Sequence, residues 1–330
     1  MRRTLLVVAL VALSGLSAAA LWSWPTTPVL SLQLPAIEGT ADRWLAAGES
    51  RIEARSGINP NSDKRIRWQP GAAGERTELA LVYLHGFSAT RQEIAPVGEQ
   101  LADLLGANLF ETRLAGHGLR SHQLENVTAE DWLADTAEAL AIGKRIGKRV
   151  ILMGTSTGAT LALAAANARP QEVAALILVS PNFSPRDTNA DFMLWPGGPL
   201  LAQWLLGPRR SWQPSNALQA QYWTTEYPTQ SLVEVMRLVK ALRQSLPMDL
   251  EQPLLVFMSR NDDVISIERA FASLAMITAP AMEIVEVETQ EPGHHVLAGD
   301  ILAPQQTGPV AQKAYAFLQQ ALGKVSTSTL

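Results

Sequence analysis

Val150-Ile151-Leu152-Met153-Gly154-Thr155-Ser156-Thr157-Gly158-Ala159-Thr160-Leu161-Ala162-Leu163-Ala164-Ala165-Ala166 carries three local signals in succession. Four apolar residues run into a glycine, as a short buried strand does. Gly154-Thr155-Ser156-Thr157-Gly158 then matches G-x-S-x-G, in which a serine sits on a sharp strand-to-helix turn with its hydroxyl exposed at the sheet end. Glycine two positions away on either side keeps side chains out of that crowded turn. The Ala-rich run Ala159 to Ala168 has the composition of a packed helix. A glycine-flanked turn with a merely solvated serine would need neither the strand before it nor the helix after it.

Outward from this stretch, the same alternation repeats. Leu79 to Leu84, Asn108 to Thr112, Leu176 to Val179, Pro253 to Met258 and Met282 to Val287 read as further strands. Helical spacing is expected over Ala41 to Arg55, over Arg91 to Leu105 with Gly106 as C-cap, and over Val310 to Leu322. Thr128 to Ile146 is a longer helix with a Thr128/Asp131 capping box. Strands alternating with helices imply an α/β domain, its mostly parallel sheet covered on both faces. The alternation breaks once, between Val179 and Leu254. That stretch contains Trp195, Trp204, Trp212 and Trp223 among several prolines. A connection so long is no simple crossover, and it reads as a helical cap inserted at about residues 182–250.

Composition narrows the function classes. The chain is 330 residues long, 47% hydrophobic and 18% charged, so it can bury a sizeable core. Its net charge is -4 and no basic stripe is present to neutralise phosphates, which argues against a nucleic-acid partner. With no cysteine, disulfides, thiolate nucleophiles and Cys-based metal sites are excluded. At the N-terminus, Arg2 and Arg3 precede a charge-free run from Thr4 to Trp24. Residues 1–24 read as a cleavable signal peptide, with Ala18-Ala19-Ala20 offering a cleavage site, or as an uncleaved membrane anchor. Trp22 and Trp24 suit the far membrane interface and the arginines the inner one. Residues 25–40 read as a proline-bearing linker, and 41–330 as the folded domain. The expected location is outside the cytoplasm: anchored in the inner membrane or periplasmic, for a bacterial source.

A serine hydroxyl is a poor nucleophile until a base takes its proton. At a turn of this type the partners follow in the order serine, acid, histidine. Asn261-Asp262-Asp263-Val264-Ile265 follows the strand ending at Met258, and Pro292-Gly293-His294-His295-Val296 follows the strand ending at Val287. Each supplies two adjacent candidates: Asp262 or Asp263, His294 or His295. An oxyanion hole needs two backbone N–H donors. Thr157, after the serine, and Phe87, after His85-Gly86 at the end of the strand Leu79 to Leu84, are placed to give them. His85 reads as a loop brace.

Taken together, His85-Gly86-Phe87, Arg113-Leu114-Ala115-Gly116-His117-Gly118, Gly154-Thr155-Ser156-Thr157-Gly158, Asn261-Asp262-Asp263-Val264 and His295-Val296 resemble the α/β-hydrolase superfamily. The nearest branch holds monoacylglycerol lipases, bacterial carboxylesterases and serine aminopeptidase-like proteins. The resemblance covers about residues 78–322 and is weak within the cap; Ala115 stands where proline is usual. It implies Asp262 as the acid, from Asp262-Asp263-Val264-Ile265, and His295 as the base, from His295-Val296-Leu297-Ala298-Gly299-Asp300. It leaves His117 as a brace. The implied activity is that of a serine hydrolase of carboxylesterase or lipase type, acting through an acyl-enzyme on a small hydrophobic ester, with no cofactor or metal. A serine aminopeptidase-like peptidase is the first alternative. It would need an acidic group to hold a free amine. A non-catalytic binding protein on the same scaffold is the second; a complete set of nucleophile, base and acid argues against it.

Overall fold

The computed structural model describes residues 24–323. Residues 1–23, and with them nearly all of the expected signal peptide or anchor, lie outside the described residues. Among the described residues no helix is long and apolar enough to cross a membrane. Helix α1 (Ala41–Ser56) starts where the Thr40 side chain accepts from the Arg43 N–H. Next come β1 (Arg65–Arg67), β2 (Thr77–Leu84), α2 (Val97–Leu105), β3 (Asn108–Glu111) and α3 (Ala129–Ile146). Strand β4 (Gly147–Thr155), helix α4 (Thr157–Ala168) and strand β5 (Ala175–Val179) complete the first half.

The chain then leaves the sheet. A 3-10 helix (Thr188–Leu194) is followed by α5 (Gly198–Leu206), β6 (Arg209–Ser211), α6 (Ala217–Tyr222), β7 (Glu226–Pro228) and α7 (Thr229–Gln244). It returns through β8 (Met248–Asp249), β9 (Leu254–Met258), α8 (Ile267–Leu274), β10 (Ile277–Thr278), β11 (Met282–Glu286) and α9 (Pro304–Leu322).

Seven strands form one sheet in the order β1-β3-β2-β4-β5-β9-β11. Only the edge strand β1 runs antiparallel to its neighbour; the other five pairings are parallel. This is the mostly parallel, helix-covered sheet that the alternation predicts. Side chains along the central strands alternate between two cores. Ala80, Val82, Leu84, Val150 and Leu152 face one, with α3, α4 and α7. Leu79, Leu81, Tyr83, Ile151 and Met153 face the other, with α2 and α9. Burial on both faces explains why these strands read as unbroken apolar runs. Strand β4, between β2 and β5, delivers its C-terminal end to the middle of the sheet edge, where parallel sheets place their sites.

Several boundaries differ from the sequence reading, each for a local reason. The helix expected from Arg91 begins at Val97, because Pro96 disfavours helix in the residue before it and has no N–H to donate. Residues 91–94 form turns instead, and Glu93 is turned inward among them. Helix α9 begins at Pro304, six residues before the expected Val310; Pro309 lies inside it. Strand β1 has no apolar run to announce it, being Arg-Ile-Arg on an edge. The capping box at Thr128 is present, with the Thr128 hydroxyl and the Asp131 carboxylate each engaging the other's backbone N–H. Residues 25–40 hold no helix or strand, yet they are not detached: Leu32 is buried in the core.

The excursion between β5 and β9 has a small core of its own, formed by Met193, Leu194, Ala202, Val233 and Met236. It also reaches back to the sheet edge. The Thr224 N–H donates to the Ser88 carbonyl at 2.7 Å, and the Tyr227 ring meets the Phe87 ring edge-on at 5.0 Å.

Candidate active site

Ser156 is the residue between β4 and α4, with φ 52° and ψ -115°. That region is strained for a residue with a Cβ and costs about 1–3 kcal/mol, so the surroundings must impose it. They do. The Ser156 N–H donates to the Val179 carbonyl at 2.9 Å, and its carbonyl accepts from the Ala159 and Thr160 N–H groups. The flanking glycines are obligatory: a Cβ on Gly154 would stand 2.4 Å from the Gly158 carbonyl oxygen, and one on Gly158 would stand 2.0 Å from the Leu84 carbonyl oxygen. The side chain of Ser156 is left as the one group the turn displays.

Asp262 and His295 come together in space. His295 Nδ1 lies 2.7 Å from Asp262 Oδ2. The other oxygen, Oδ1, accepts the Val264 and Ile265 N–H groups at 2.8 and 3.0 Å, which fixes the carboxylate in the turn after β9. With Nδ1 turned to the acid, Nε2 is the atom free to act as a base. Burial works against the charged imidazole. Asp262, with smaller contributions from Glu93 and Glu291, outweighs it and holds the pKa above the usual histidine value.

The neighbouring candidates do something else. Asp263 is half-exposed and ion-pairs with Arg186. His294 has φ 49° and lines a cavity of about 470 Å³ with Arg186, Asp262 and Asp263. The positive φ at His294 reverses the chain, and that reversal lets His295 rather than His294 reach the acid.

Phe87 and Thr157, the two expected N–H donors, lie at the ends of elements that meet at Ser156. Thr157 opens α4, whose first turn has no intrahelical acceptors for its N–H groups. The loop carrying Phe87 passes close by: a Cβ on Gly86 would sit 3.3 Å from the Ser156 Cβ. The Phe87 ring is fixed edge-on by His117, Trp132 and Tyr227, at 5.8, 6.0 and 5.0 Å between ring centres. His85 and His117 are braces. His85 Nε2 accepts the Leu114 N–H at 3.0 Å, so its proton is on Nδ1, 2.8 Å from the Gly86 carbonyl. Burial pushes the His117 pKa down to about 4, so it too is neutral. The Arg113 loop is held from behind, by Glu49 of α1 on Arg113 and by Asp135 on the Ala115 N–H. A cavity of about 830 Å³ beside this brace is lined by residues of both charges, and none of Ser156, Asp262 or His295 lines it.

Three residues of the site escaped the sequence reading. Glu291 shapes the histidine loop, its two oxygens accepting the Gly293 and His295 N–H groups at 2.9 and 2.8 Å. Ser180 donates to the His295 carbonyl at 2.7 Å. Glu93 is buried, and its Oε2 accepts the Gly86 N–H at 2.8 Å and the Tyr83 hydroxyl at 2.9 Å. Burial lifts its pKa to about 7, against the opposing pull of those two donors and of His295. Glutamate is seldom buried without a partner. Here its partners are the loop bearing Phe87 and the charge of the base.

Among the described residues no group of three or more His, Asp or Glu side chains is placed to hold a metal ion. The arrangement is that of a serine on a strained turn with a buried histidine–carboxylate pair nearby.

Comparison with known proteins bears on the family and the fold. The Alpha/beta hydrolase family matches over residues 81–305. A thermostable monoacylglycerol lipase of Bacillus sp. (strain H-257) is 26% identical over 230 residues, 70% of this chain and 88% of that protein. Among solved structures, one reported for LipS and LipT, two metagenome-derived lipolytic enzymes, superposes with a TM-score of 0.65 at 18% identity, covering 80% of this chain and 99% of that one. A monoacylglycerol lipase of Paleococcus ferrophilus gives 0.56 at 15% identity, over 78% and 98%. The mouse alpha/beta hydrolase domain-containing protein 10 gives 0.55 at 18% identity, over 78% and 93%.

Proposed function

The chain belongs to the alpha/beta hydrolase family, and on that footing we propose that it is a serine hydrolase of lipase or carboxylesterase type, cleaving hydrophobic carboxylic esters through an acyl-enzyme. The observation that carries the reading is the 2.7 Å contact of Asp262 with His295, a pair that shares the sheet edge with Ser156 on its strained turn. The lipolytic proteins it resembles support an ester substrate. The charge-free run Thr4 to Trp24 supports export, with the catalytic domain beyond the membrane.

In the proposed cycle, Ser156 Oγ attacks the ester carbonyl carbon while His295 Nε2 takes the hydroxyl proton. Asp262 keeps the imidazole in the right tautomer and stabilises its charged form. The N–H groups of Phe87 and Thr157 hold the oxyanion of the tetrahedral intermediate. His295 gives its proton to the leaving alkoxide as the C–O bond breaks, and the acyl group stays on Ser156. Water then attacks the acyl-enzyme with His295 again as base, releasing the acid and restoring the serine. Nitrophenyl esters of increasing acyl length, with a monoacylglycerol and an aminoacyl anilide, test the substrate class. Turnover of the esters and none of the anilide is expected; cleavage of the anilide alone would overturn the reading.

Glu93 gives a separate prediction. Its negative charge favours imidazolium at His295, and the reaction needs the neutral ring. The rising limb of the kcat/KM profile is therefore expected above the ordinary histidine range. Glu93→Gln removes the charge and can still accept the Gly86 N–H, so the limb moves to lower pH. Plateau activity falls by about fivefold at most, the worth of one hydrogen bond of ~1 kcal/mol. An unmoved limb in a folded variant would show that Glu93 does not act on the base.

A further inference from the structure

Ala115 is held at both ends by side chains from other parts of the chain. Its N–H donates to Asp135 Oδ2 of α3 at 2.6 Å. Its carbonyl accepts from His117 Nδ1 at 2.9 Å and from the Trp132 indole N–H at 3.1 Å. A residue has only two soft backbone torsions, and these bonds pin the peptide groups on either side of them. Proline, usual at this position, needs less help: its ring sets φ, and it has no N–H to satisfy. Alanine has neither property, so the constraint must come from outside.

Asp135 can supply it because its charge is matched. Its other oxygen, Oδ1, lies 3.2 Å from Lys64 Nζ, and both side chains are largely buried. Lys64 also pairs with Glu138, which accepts the indole N–H of Trp44 of α1 at 2.7 Å. The Lys64 backbone N–H donates at 3.0 Å to Glu49 Oε2, and Glu49 grips Arg113 of the same loop. Trp44, Glu49 and Lys64 all lie before residues 81–305, the stretch that matches the family. The loop is gripped from behind by a part of the chain that precedes that match.

Two routes lead from this loop to Phe87. The Leu114 N–H donates to His85 Nε2 at 3.0 Å, and His85 Nδ1 donates to the Gly86 carbonyl at 2.8 Å. That carbonyl belongs to the same planar peptide as the Phe87 N–H, so holding the one aims the other. His117 and Trp132, both bonded to the Ala115 carbonyl, set the Phe87 ring edge-on at 5.8 and 6.0 Å. We infer that Asp135, its charge matched by Lys64, is a positioning residue for the oxyanion hole: through the Ala115 N–H it fixes the loop that aims the Phe87 donor, in place of the constraint a proline ring would supply. The inference rests on the proposed role of the Phe87 N–H in the reaction. Asp135 acts through Ala115 and not on the substrate.

Three variants of the full-length protein test it: Asp135→Ala, Asp135→Asn and the double variant Ala115→Pro/Asp135→Ala. Each is assayed with a nitrophenyl ester and with a trifluoromethyl ketone, which adds to the serine as an oxyanion. Losing an oxyanion donor outright costs about a hundred- to a thousand-fold, so a donor left in place but poorly aimed is expected to cost about tenfold. Asp135→Ala should therefore lower kcat and weaken the ketone by that factor together, with KM little changed. Asparagine still offers an oxygen to the Ala115 N–H, and the double variant has no N–H to satisfy and a φ set by its ring. Both are expected to keep kcat within about threefold of native. A merely structural role would lower the melting temperature and leave the kcat and ketone affinity of folded protein alone. That result in Asp135→Ala overturns the inference, and so does a double variant as slow as Asp135→Ala. If Asp135→Ala does not fold, the double variant decides by itself: kcat within about threefold of native upholds the inference, and any larger loss overturns it. Native protein that turned over no ester would instead defeat the hydrolase reading, so the two failures are distinct.

Discussion

Ser156→Ala is expected to abolish ester hydrolysis and fluorophosphonate labelling together, lowering kcat by about a million-fold while the protein stays folded. The size follows from the covalent step: no other group in the described site can hold the acyl chain between the two half-reactions. The fold survives because the backbone, not the hydroxyl, makes the turn. The hydrogen bonds at Ser156 run through its N–H and carbonyl, and its side chain makes none to the other described residues. Alanine at φ 52° carries the same Cβ strain as serine. The check is a labelling gel and a nitrophenyl ester assay beside a thermal melt. A melt close to wild type with labelling retained at one site would move the nucleophile elsewhere.

Asp262→Asn and His295→Ala form the second large effect. Without the histidine no base remains for Ser156, and the loss is expected near that of Ser156→Ala, since members of such a unit do not contribute independently. Asparagine at 262 keeps the Val264 and Ile265 contacts in place but can present an N–H to Nδ1 and select the wrong tautomer, at a cost of about ten-thousand-fold. The adjacent pair is the control. Asp263→Asn removes an exposed ion pair with Arg186, worth about 0–1 kcal/mol. For His294 the useful substitution is Asn, which tolerates the positive φ there. Both controls are expected to hold kcat within about threefold, the effect of an ordinary surface change. A dead His294→Asn beside an active His295→Ala would reverse the assignment of the base.

The parts of this architecture legible in the sequence are those where chemistry and chain geometry constrain adjacent residues. Gly154 and Gly158 flank Ser156 because no side chain fits at either position. The five strands buried on both faces, β2, β3, β4, β5 and β9, declare themselves as apolar runs. Thr128 and Asp131 announce the start of α3. Strand β1 was invisible because an edge strand of Arg-Ile-Arg takes its place from the pairing of Arg65 with Glu111, a residue distant in sequence. The acid and the histidine could be narrowed to adjacent pairs by chain order, and the resemblance favoured one member of each. What separates the members in space is the reversal at His294, a backbone property with no residue signature of its own. Glu93, Ser180 and Glu291 were missed for the opposite reason. Each is an ordinary polar residue in a loop, and its role exists only after distant segments have met. The exposed apolar arc of α5, Leu200, Leu201, Trp204 and Leu205, was not legible, since composition does not say which side of a helix faces out.

The contact between cap and sheet edge ties access to chemistry. Thr224, just before β7, and Tyr227 of β7, which pairs with β6 in the cap's two-stranded hairpin, hold Ser88 and Phe87, and the Phe87 backbone is one of the two oxyanion donors in the proposed cycle. An outward swing of that hairpin would break the Thr224–Ser88 hydrogen bond and uncover the Phe87 ring in one movement. The open molecule would be a poorer catalyst than the closed one, not merely a more accessible one.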